Sequence, residues 1–516
     1  MNQVKHVVVV GGGTAGWLTA ANLAYSFNSK KSESIQVTLV ESPDIPIIGV
    51  GEGTWPTIRT TLQRLGIDEA EFMMECDATF KQGTCFVNWA DNPSENDKSY
   101  YHLFSTVNDS YEFNLAPYWI LSESKHNYAS AVGLQGDLCD KNLAPKKLTT
   151  PAYEGIQNYS YHLNAGKFGK FLAKHATKNL GVKHLLANVE KINLDCDGYI
   201  ESIDTDVKGR INGDFFIDCT GFKSMLLGEA LDIDFIDVSD VLMNDTAVVM
   251  QVPYENEQEE IRPYTKSIAQ EAGWIWDIGL IDRRGLGYVY SSKYTSHERA
   301  EDVFRSYVGD AAEKLNARKI NMKVGYREKY FHKNCVAIGL SAAFIEPLEA
   351  SAIFLVEAAA NMLRDQFPAT RAEMELVEEK FNQSFHFRWK KSIDFIKLHY
   401  MLSKRTDSQY WIDSRLKKNC SQSLLNQIEH WKTHCPSKYD FDNVYEPFVL
   451  DSYLYVLFGM GYKSDLQKKI NNFNESKIAD KKFLMVKAAK EMLAKENLPS
   501  HRELLNKVYQ YGFSKI

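Results

Sequence analysis

His6-Val7-Val8-Val9-Val10-Gly11-Gly12-Gly13-Thr14-Ala15-Gly16-Trp17 is the stretch on which the fold turns. Its four valines predict a short strand covered on both faces, as parallel strands are. The strand runs into G-x-G-x-x-G, and the helix expected after it carries Trp17, Leu18, Ala21, Leu23, Ala24 and Phe27 on a mostly apolar face. A second strand, Ile35-Gln36-Val37-Thr38-Leu39-Val40, ends in Glu41. Strand, glycine turn, helix, strand and acid together make a dinucleotide-binding unit. Gly11 permits the tight turn, Gly13 lets backbone approach a pyrophosphate, and Gly16 lets helix and strand pack closely. Thr14 and Ala15 open the helix, where free amides suit phosphate. Glu41 can accept hydrogen bonds from an adenosine ribose.

The glycines do not choose between NAD and FAD. Gly213-Asp214-Phe215-Phe216-Ile217-Asp218-Cys219-Thr220-Gly221 predicts another strand ending in a glycine turn, and Val336-Ala337-Ile338-Gly339-Leu340 a third. A chain that returns to one sheet with glycine-terminated strands points to a two-part flavoprotein with FAD extended across several strand ends, Gly339 and Leu340 among them. The expected fold is therefore α/β: a large, Rossmann-like, flavin-monooxygenase-like lobe over residues 1–380. A smaller, mainly helical lobe over 381–516 caps the substrate.

Composition narrows the function classes. Over 516 residues, 44% are hydrophobic and 25% charged, a soluble globular balance. Lys+Arg 60 against Asp+Glu 67 gives a net charge of −7, so no positive field invites nucleic acid. No stretch approaches the roughly 18–20 apolar residues of a membrane span, and the N-terminus does not read as a signal peptide. A cytoplasmic location is expected. The eight cysteines form no CxxC pair and read as reduced, buried thiols. His430 and His434 are spaced as two helical ligands could be, but no acid lies between them, and no metal is predicted. Ser94–Lys98 and Glu255–Glu260 read as loops, and Leu466 to Lys495 as helix with a solvated charged face.

Seven blocks, in order, resemble those of the flavin-dependent tryptophan halogenases, over most of the chain. They are Gly11–Trp17, Pro46-Ile47-Ile48-Gly49-Val50-Gly51-Glu52-Gly53-Thr54, Thr79-Phe80-Lys81-Gln82-Gly83, Trp274-Ile275-Trp276-Asp277-Ile278, Gly287–Ser292, Phe344-Ile345-Glu346-Pro347-Leu348-Glu349 and Asp394–Tyr400. The resemblance implies an enzyme that uses FADH2 and O2 to turn chloride or bromide into hypohalous acid. That oxidant then halogenates an electron-rich indole or tryptophan derivative. FADH2 would come from a separate reductase, since no second nicotinamide fingerprint is evident. Gly49, Val50, Gly51 and Glu52 match the loop that the family folds over the flavin.

Lys81 holds the position of the family's catalytic lysine. Its ammonium can hydrogen-bond hypohalous acid, or its neutral amine can form a haloamine, and the sequence does not choose. Glu349, rather than Glu346, matches the partner carboxylate that polarises the donor or accepts the ring proton. The helix start after it offers the amides of Ser351 and Ala352 to a halide. Here Glu349-Ala350-Ser351-Ala352 departs from the family's usual Glu-Ser-Thr-Gly, which leaves the choice of halide open. Trp274 and Trp276, two apart on a strand, share a face and match a wall beside the tunnel between flavin and substrate. Gly279 stands where the family usually has proline. His102 and Phe104 resemble the pair that sandwiches indole, on one side of an extended segment. The C-terminal region offers no clear clamp for a free amino acid, so indole or a larger indolic compound is as consistent as tryptophan. The competing class is a flavin-dependent aromatic hydroxylase, which needs direct access from flavin to substrate. A symmetric homodimer is the base-rate expectation.

Overall fold

A run of β-branched residues with no polar face needs neighbours on both edges and cover on both sides. His6–Val10 has both: Val7, Val8 and Val9 are fully buried. The strand pairs in parallel with Gln36–Glu41 on one edge and Phe215–Asp218 on the other. The computed structural model describes residues 3–28, 34–45, 51–107, 110–122, 126–441 and 443–513. Within these the chain divides into two units, each built from three separate segments: Met1–Ala78, Leu163–Ser239 and Met322–Trp389 in the first, and Thr79–His162, Asp240–Asn321 and Lys390–Ile516 in the second.

In the first unit the sheet continues outward to Lys183–Leu186 on one side and to Cys335–Ala337 and Phe331–His332 on the other. Among the described residues, five of its six strands run parallel and Phe331–His332 pairs antiparallel with Cys335–Ala337. Helix Thr14–Phe27 buries Trp17, Leu18, Ala20, Ala21, Leu23 and Ala24, and it packs against helices Ala165–Leu180 and Ala352–Asp365. Two small antiparallel sheets, Val189–Leu194 with Ile200–Thr205 and Gly209–Asn212, and Phe235–Asp237 with Gly325–Arg327 and Ala343–Phe344, complete the unit.

The second unit is organised by a seven-stranded sheet in the order Arg318–Asn321, Thr246–Pro253, Arg283–Tyr290, Gly273–Gly279, Thr265–Gln270, Gly83–Val87, Ser99–Leu103. All its pairs are antiparallel except Gly83–Val87 with Thr265–Gln270. Apolar alternation builds one core cluster over it, with Val248, Met250, Ile268, Ile275, Leu286 and Tyr288 all buried. A second ladder pairs Thr79–Lys81 with Ser160–Leu163. Helices Gln422–Trp431, Leu450–Gly459, Ser476–Lys495 and His501–Tyr511 follow.

The α/β class, with mixed sheets and helical regions, holds. The division at residue 380 does not match the two units, because a boundary read from composition assumes that neighbours in sequence share a core. Here the strand Gly83–Val87 finds its parallel partner in Thr265–Gln270, which no local pattern announces. Helix Met374–Leu402 runs through the expected boundary, so the helical region opens well before Asp394. Residues 466–495 are a short 3-10 segment, Gln467–Asn472, and then helix Ser476–Lys495. Among the described residues no helix is long and apolar enough to cross a membrane, and no group of three or more His, Cys, Asp or Glu is arranged to hold a metal.

Candidate active site

In the first unit, the glycine turn is held by contact and not only by propensity. Gly11 sits at φ 116°, and a Cβ there would stand 2.1 Å from the Cys219 carbonyl oxygen, so neighbouring strand ends close on it. At Gly13, by contrast, a Cβ would meet nothing within 4 Å. Backbone is bare to open space at the N-cap of helix Thr14–Phe27, which has no side-chain cap and no acid in its first turn. A helix N-terminus of this kind suits a pyrophosphate through its first-turn amides and its dipole, and the Glu41 side chain packs against Gly12 of the same turn. Glu41 ends the second strand with Oε2 2.9 Å from His184 Nε2, and the His184 ring meets Trp17 edge-on at 4.8 Å. Gly339 and Leu340, both half-buried, form a short turn after strand Cys335–Ala337. The residues present thus fit an adenine dinucleotide of the FAD type. Gly51 is in the left-handed region at φ 88°. Burial pushes the Glu52 carboxyl up to about 7. Gly49 and Val50 lie outside the described residues.

Glu346 and Glu349 are both buried, at 1% and 3% exposure. The Glu349 backbone is fixed by the Trp55 indole, whose Nε1 donates to the Glu349 carbonyl at 2.8 Å while its ring stacks on Phe354 at 4.4 Å. Ala350 then turns the chain at φ 54°, a left-handed conformation that costs a residue with a Cβ about 1–2 kcal/mol. The turn delivers Ser351 as N-cap of helix Ala352–Asp365, without a side-chain cap and without an acid in the first turn. Ser351 is buried and Ala352 exposed. Free amides and a positive dipole end suit a small anion. Further along this helix, Glu357 is buried between threonine hydroxyls, Thr57 Oγ1 at 3.0 Å and Thr61 Oγ1 at 2.5 Å. Burial pushes its carboxyl up to about 7.

In the second unit, Lys81 is 1% exposed. Alternation along Thr79–Lys81 sends Thr79 and Lys81 to one face and Phe80 to the other. The next residue ties the strand to its surroundings. Gln82 N–H donates to Pro263 O at 2.7 Å, Phe104 N–H donates to Gln82 O at 3.1 Å, and the Gln82 amide donates to Leu143 O at 2.8 Å. These bonds bring Phe104 beneath Lys81, whose Nζ lies 5.2 Å from the ring centroid. His102 is in strand Ser99–Leu103 but Phe104 falls in the bend after it, so strand alternation does not relate the two. His102 is instead enclosed by Phe395 at 5.7 Å and by Phe448 and Tyr455 at 6.4 Å each. Phe395 stacks on Phe448 at 3.9 Å.

Trp274 and Trp276 share a face of strand Gly273–Gly279, with ring centroids 6.3 Å apart. Trp276 fits only because Gly287 lies opposite: a Cβ there would be 2.2 Å from the indole. The next residue, Asp277, points to the other face, where Arg284 binds it at 2.6 Å and Tyr307 at 2.8 Å. The unit also supplies residues that the sequence did not single out. Gln135 donates to Asn158 O at 2.5 Å and accepts from Ser105 N–H at 2.7 Å, while Asn158 donates to Phe104 O at 2.9 Å. Asp451 accepts from Val107 N–H at 3.3 Å, with its carboxyl pushed up by burial. Two fully buried histidines, His162 and His501, attend the Lys81 strand. None of these has a motif; each is defined by a partner far away in sequence.

The predicted residues thus fall into two sets. The first unit holds Gly11, Gly13, Thr14, Ala15, Gly16, Glu41, Gly51, Glu52, Gly339, Leu340, Glu349, Ser351 and Ala352; the second holds Lys81, His102, Phe104, Trp274 and Trp276.

Comparison with known proteins gives a consistent result. The family model described as tryptophan halogenase matches residues 6–474. A crystal structure of a tryptophan halogenase from Shewanella frigidimarina superposes with a TM-score of 0.96 at 42% identity, covering 100% of this chain and 99% of that one. Tryptophan 6-halogenase SttH from Streptomyces toxytricini is 35% identical over 96% of this chain and 97% of its own length. Tryptophan 7-halogenase RebH from Lentzea aerocolonigenes is 31% identical over 99% of each.

Proposed function

The chain belongs to the tryptophan halogenase family, and from that membership we propose that it is a flavin-dependent halogenase acting on the ring of an indole or tryptophan derivative. The observation that carries the reading within the chain is Lys81, a buried amine whose Nζ lies 5.2 Å from the centroid of the Phe104 ring. Burying a lysine costs desolvation, and an aromatic face close to its Nζ returns about 0.5–2 kcal/mol when the group is charged.

Reduced FAD, when bound, activates O2 so that chloride or bromide is oxidised to hypohalous acid; the flavin itself is supplied in reduced form by a separate reductase. The chain's own residues do the rest. Amides at Ser351 and Ala352 bind the halide, a role that backbone donors keep whatever the side chains. Trp274 and Trp276 wall the route, so that the oxidant and not the flavin meets the substrate. Lys81 holds the electrophilic halogen by hydrogen bond or as a haloamine. The indole lies between His102 and Phe104, and its ring carbon attacks the halogen: from hydrogen-bonded hypohalous acid the X–O bond breaks and the oxygen takes up a proton to leave as water, whereas from a haloamine, formed with loss of that water, the N–X bond breaks and Lys81 takes up the proton as it returns to the amine. Glu349 accepts the proton released from that carbon. The net change is ArH + HOX → ArX + H2O, with regiochemistry set by which carbon faces Lys81.

The test is direct. Full-length protein is given FAD, a flavin reductase, NADH, bromide or chloride, and a panel of indoles including tryptophan. Products carrying the halogen isotope doublet support the proposal, and a gain of one oxygen would replace it with a hydroxylase. Lys81→Ala should abolish the halogenated product while FAD binding survives.

A further inference from the structure

The Thr79–Lys81 strand pairs with Ser160–Leu163 on one edge only within its unit, so its other edge must find partners for its outward amides. Gln82 N–H has Pro263 O. Phe80 N–H has a side chain, His501, whose Nε2 accepts it at 3.0 Å from 421 residues away in sequence. The same ring reaches Ile261 O with Nδ1 at 3.0 Å. His501 is fully buried and its ring lies 5.9 Å from that of Phe80.

Both partners have fixed polarity: an amide N–H can only donate and a carbonyl oxygen can only accept. The ring must therefore be the neutral tautomer with its proton on Nδ1 and its lone pair on Nε2. Burial favours the same state, driving the histidine down to about 3. Its neighbour Arg502 anchors the helix start by donating to Glu259 O at 2.8 Å and Ile281 O at 2.7 Å. One residue along from the clamped amide, on the opposite face, is Lys81. We propose that His501, as a neutral Nδ1–H imidazole, is the positioning residue of Lys81: it fixes the free edge of the strand and thereby the direction of the amine.

The inference rests on the role given to Lys81 above, and its test separates the two. Two variants of the full-length chain are compared: His501→Leu, which removes donor and acceptor at similar size, and His501→Gln, whose amide keeps one of each. The first readout does not need turnover. Pulse labelling with acetic anhydride followed by peptide mass spectrometry reports access to the Lys81 amine, which should rise by about tenfold in His501→Leu and return to within about twofold of wild type in His501→Gln. Nitrogen-15 spectra of the wild-type ring should show the Nδ1–H tautomer and no titration from about pH 5 to about pH 9. In the loaded enzyme, halogenated product per flavin oxidised should fall by about ten- to a hundredfold in His501→Leu, with KM for the indole unchanged, and should recover in His501→Gln. An Nε2–H tautomer, or unchanged Lys81 labelling in His501→Leu, would overturn the proposal. If wild type makes no halogenated product, the functional reading fails while labelling and spectra still decide the role of His501.

Discussion

Replacing Glu357 by glutamine should make the protein more stable at alkaline pH and nearly neutral in effect at acid pH. The carboxyl is 1% exposed and contacted by two threonine hydroxyls rather than by a cation. Burial raises it from an ordinary 4.5 to about 7. Between those values the folded chain keeps a proton that the unfolded chain has lost, so stability is full at low pH and falls as pH rises, by about 1.4 kcal/mol per pH unit. Over the whole window the loss is about 3 kcal/mol, complete once the folded group has ionised near 7. Glutamine never ionises, and its amide still offers an acceptor and a donor to hydroxyls that can rotate. Allowing about 1 kcal/mol for imperfect amide geometry, Glu357→Gln should gain about 2 kcal/mol at pH 8 and nothing at pH 5. Scanning calorimetry at both pH values reads this as a rise in Tm of about 4–8 °C at the higher pH for a cooperative unit of ordinary size. An effect independent of pH would show that folding leaves the carboxyl unshifted, and a loss that grows with pH that the carboxylate is stabilised in the folded state; either would refute the reasoning.

Other substitutions follow from close contacts and strain. Gly287→Ala would drive a methyl to 2.2 Å from Trp276; the indole must move, at about 1–3 kcal/mol, and oxygenated by-products should appear in the product spectrum as the wall opens. Ala350→Gly relieves a left-handed residue at φ 54°, so it should stabilise by about 1 kcal/mol, less some unfolded-state entropy, read as a small rise in Tm. Gly11→Val sets side-chain atoms against the Cys219 carbonyl and should abolish FAD retention on gel filtration without altering the spectrum of the second unit's tryptophans.

Much of the strand–turn–helix–strand unit proposed to hold the flavin nucleotide could be read from the residues because its geometry is local. The turn at Gly11, the open face at Gly13 and the acid at Glu41 all lie within one strand–helix–strand segment, and each has a residue type that only that geometry demands. The strands were equally plain: His6–Val10 is found as expected and Gly273–Gly279 contains both tryptophans on one face. Lys81 was visible only through family resemblance, since a lysine after an aromatic residue otherwise reads as surface. Its burial beside Phe104 depends on backbone bonds through Gln82 that no side-chain pattern encodes. The interleaving of two units was invisible for the same reason. Pairing between Gly83–Val87 and Thr265–Gln270 is a choice between strands of similar composition, decided by the whole fold. His501 carries no signal at all, because a ring that serves a backbone amide leaves no trace in the sequence near that amide.

The distance between Phe80 and His501 has a consequence in time. At roughly 5–20 residues per second, a ribosome that has made the lysine strand needs about 20–80 seconds more to supply the imidazole 421 residues on. Through that interval the nascent strand keeps an unsatisfied edge, exposed to any chaperone or neighbouring chain that offers it a carbonyl. If His501 positions Lys81 as proposed, that amine is among the last parts of the molecule to be locked, and a polypeptide interrupted before helix His501–Tyr511 is released without its imidazole.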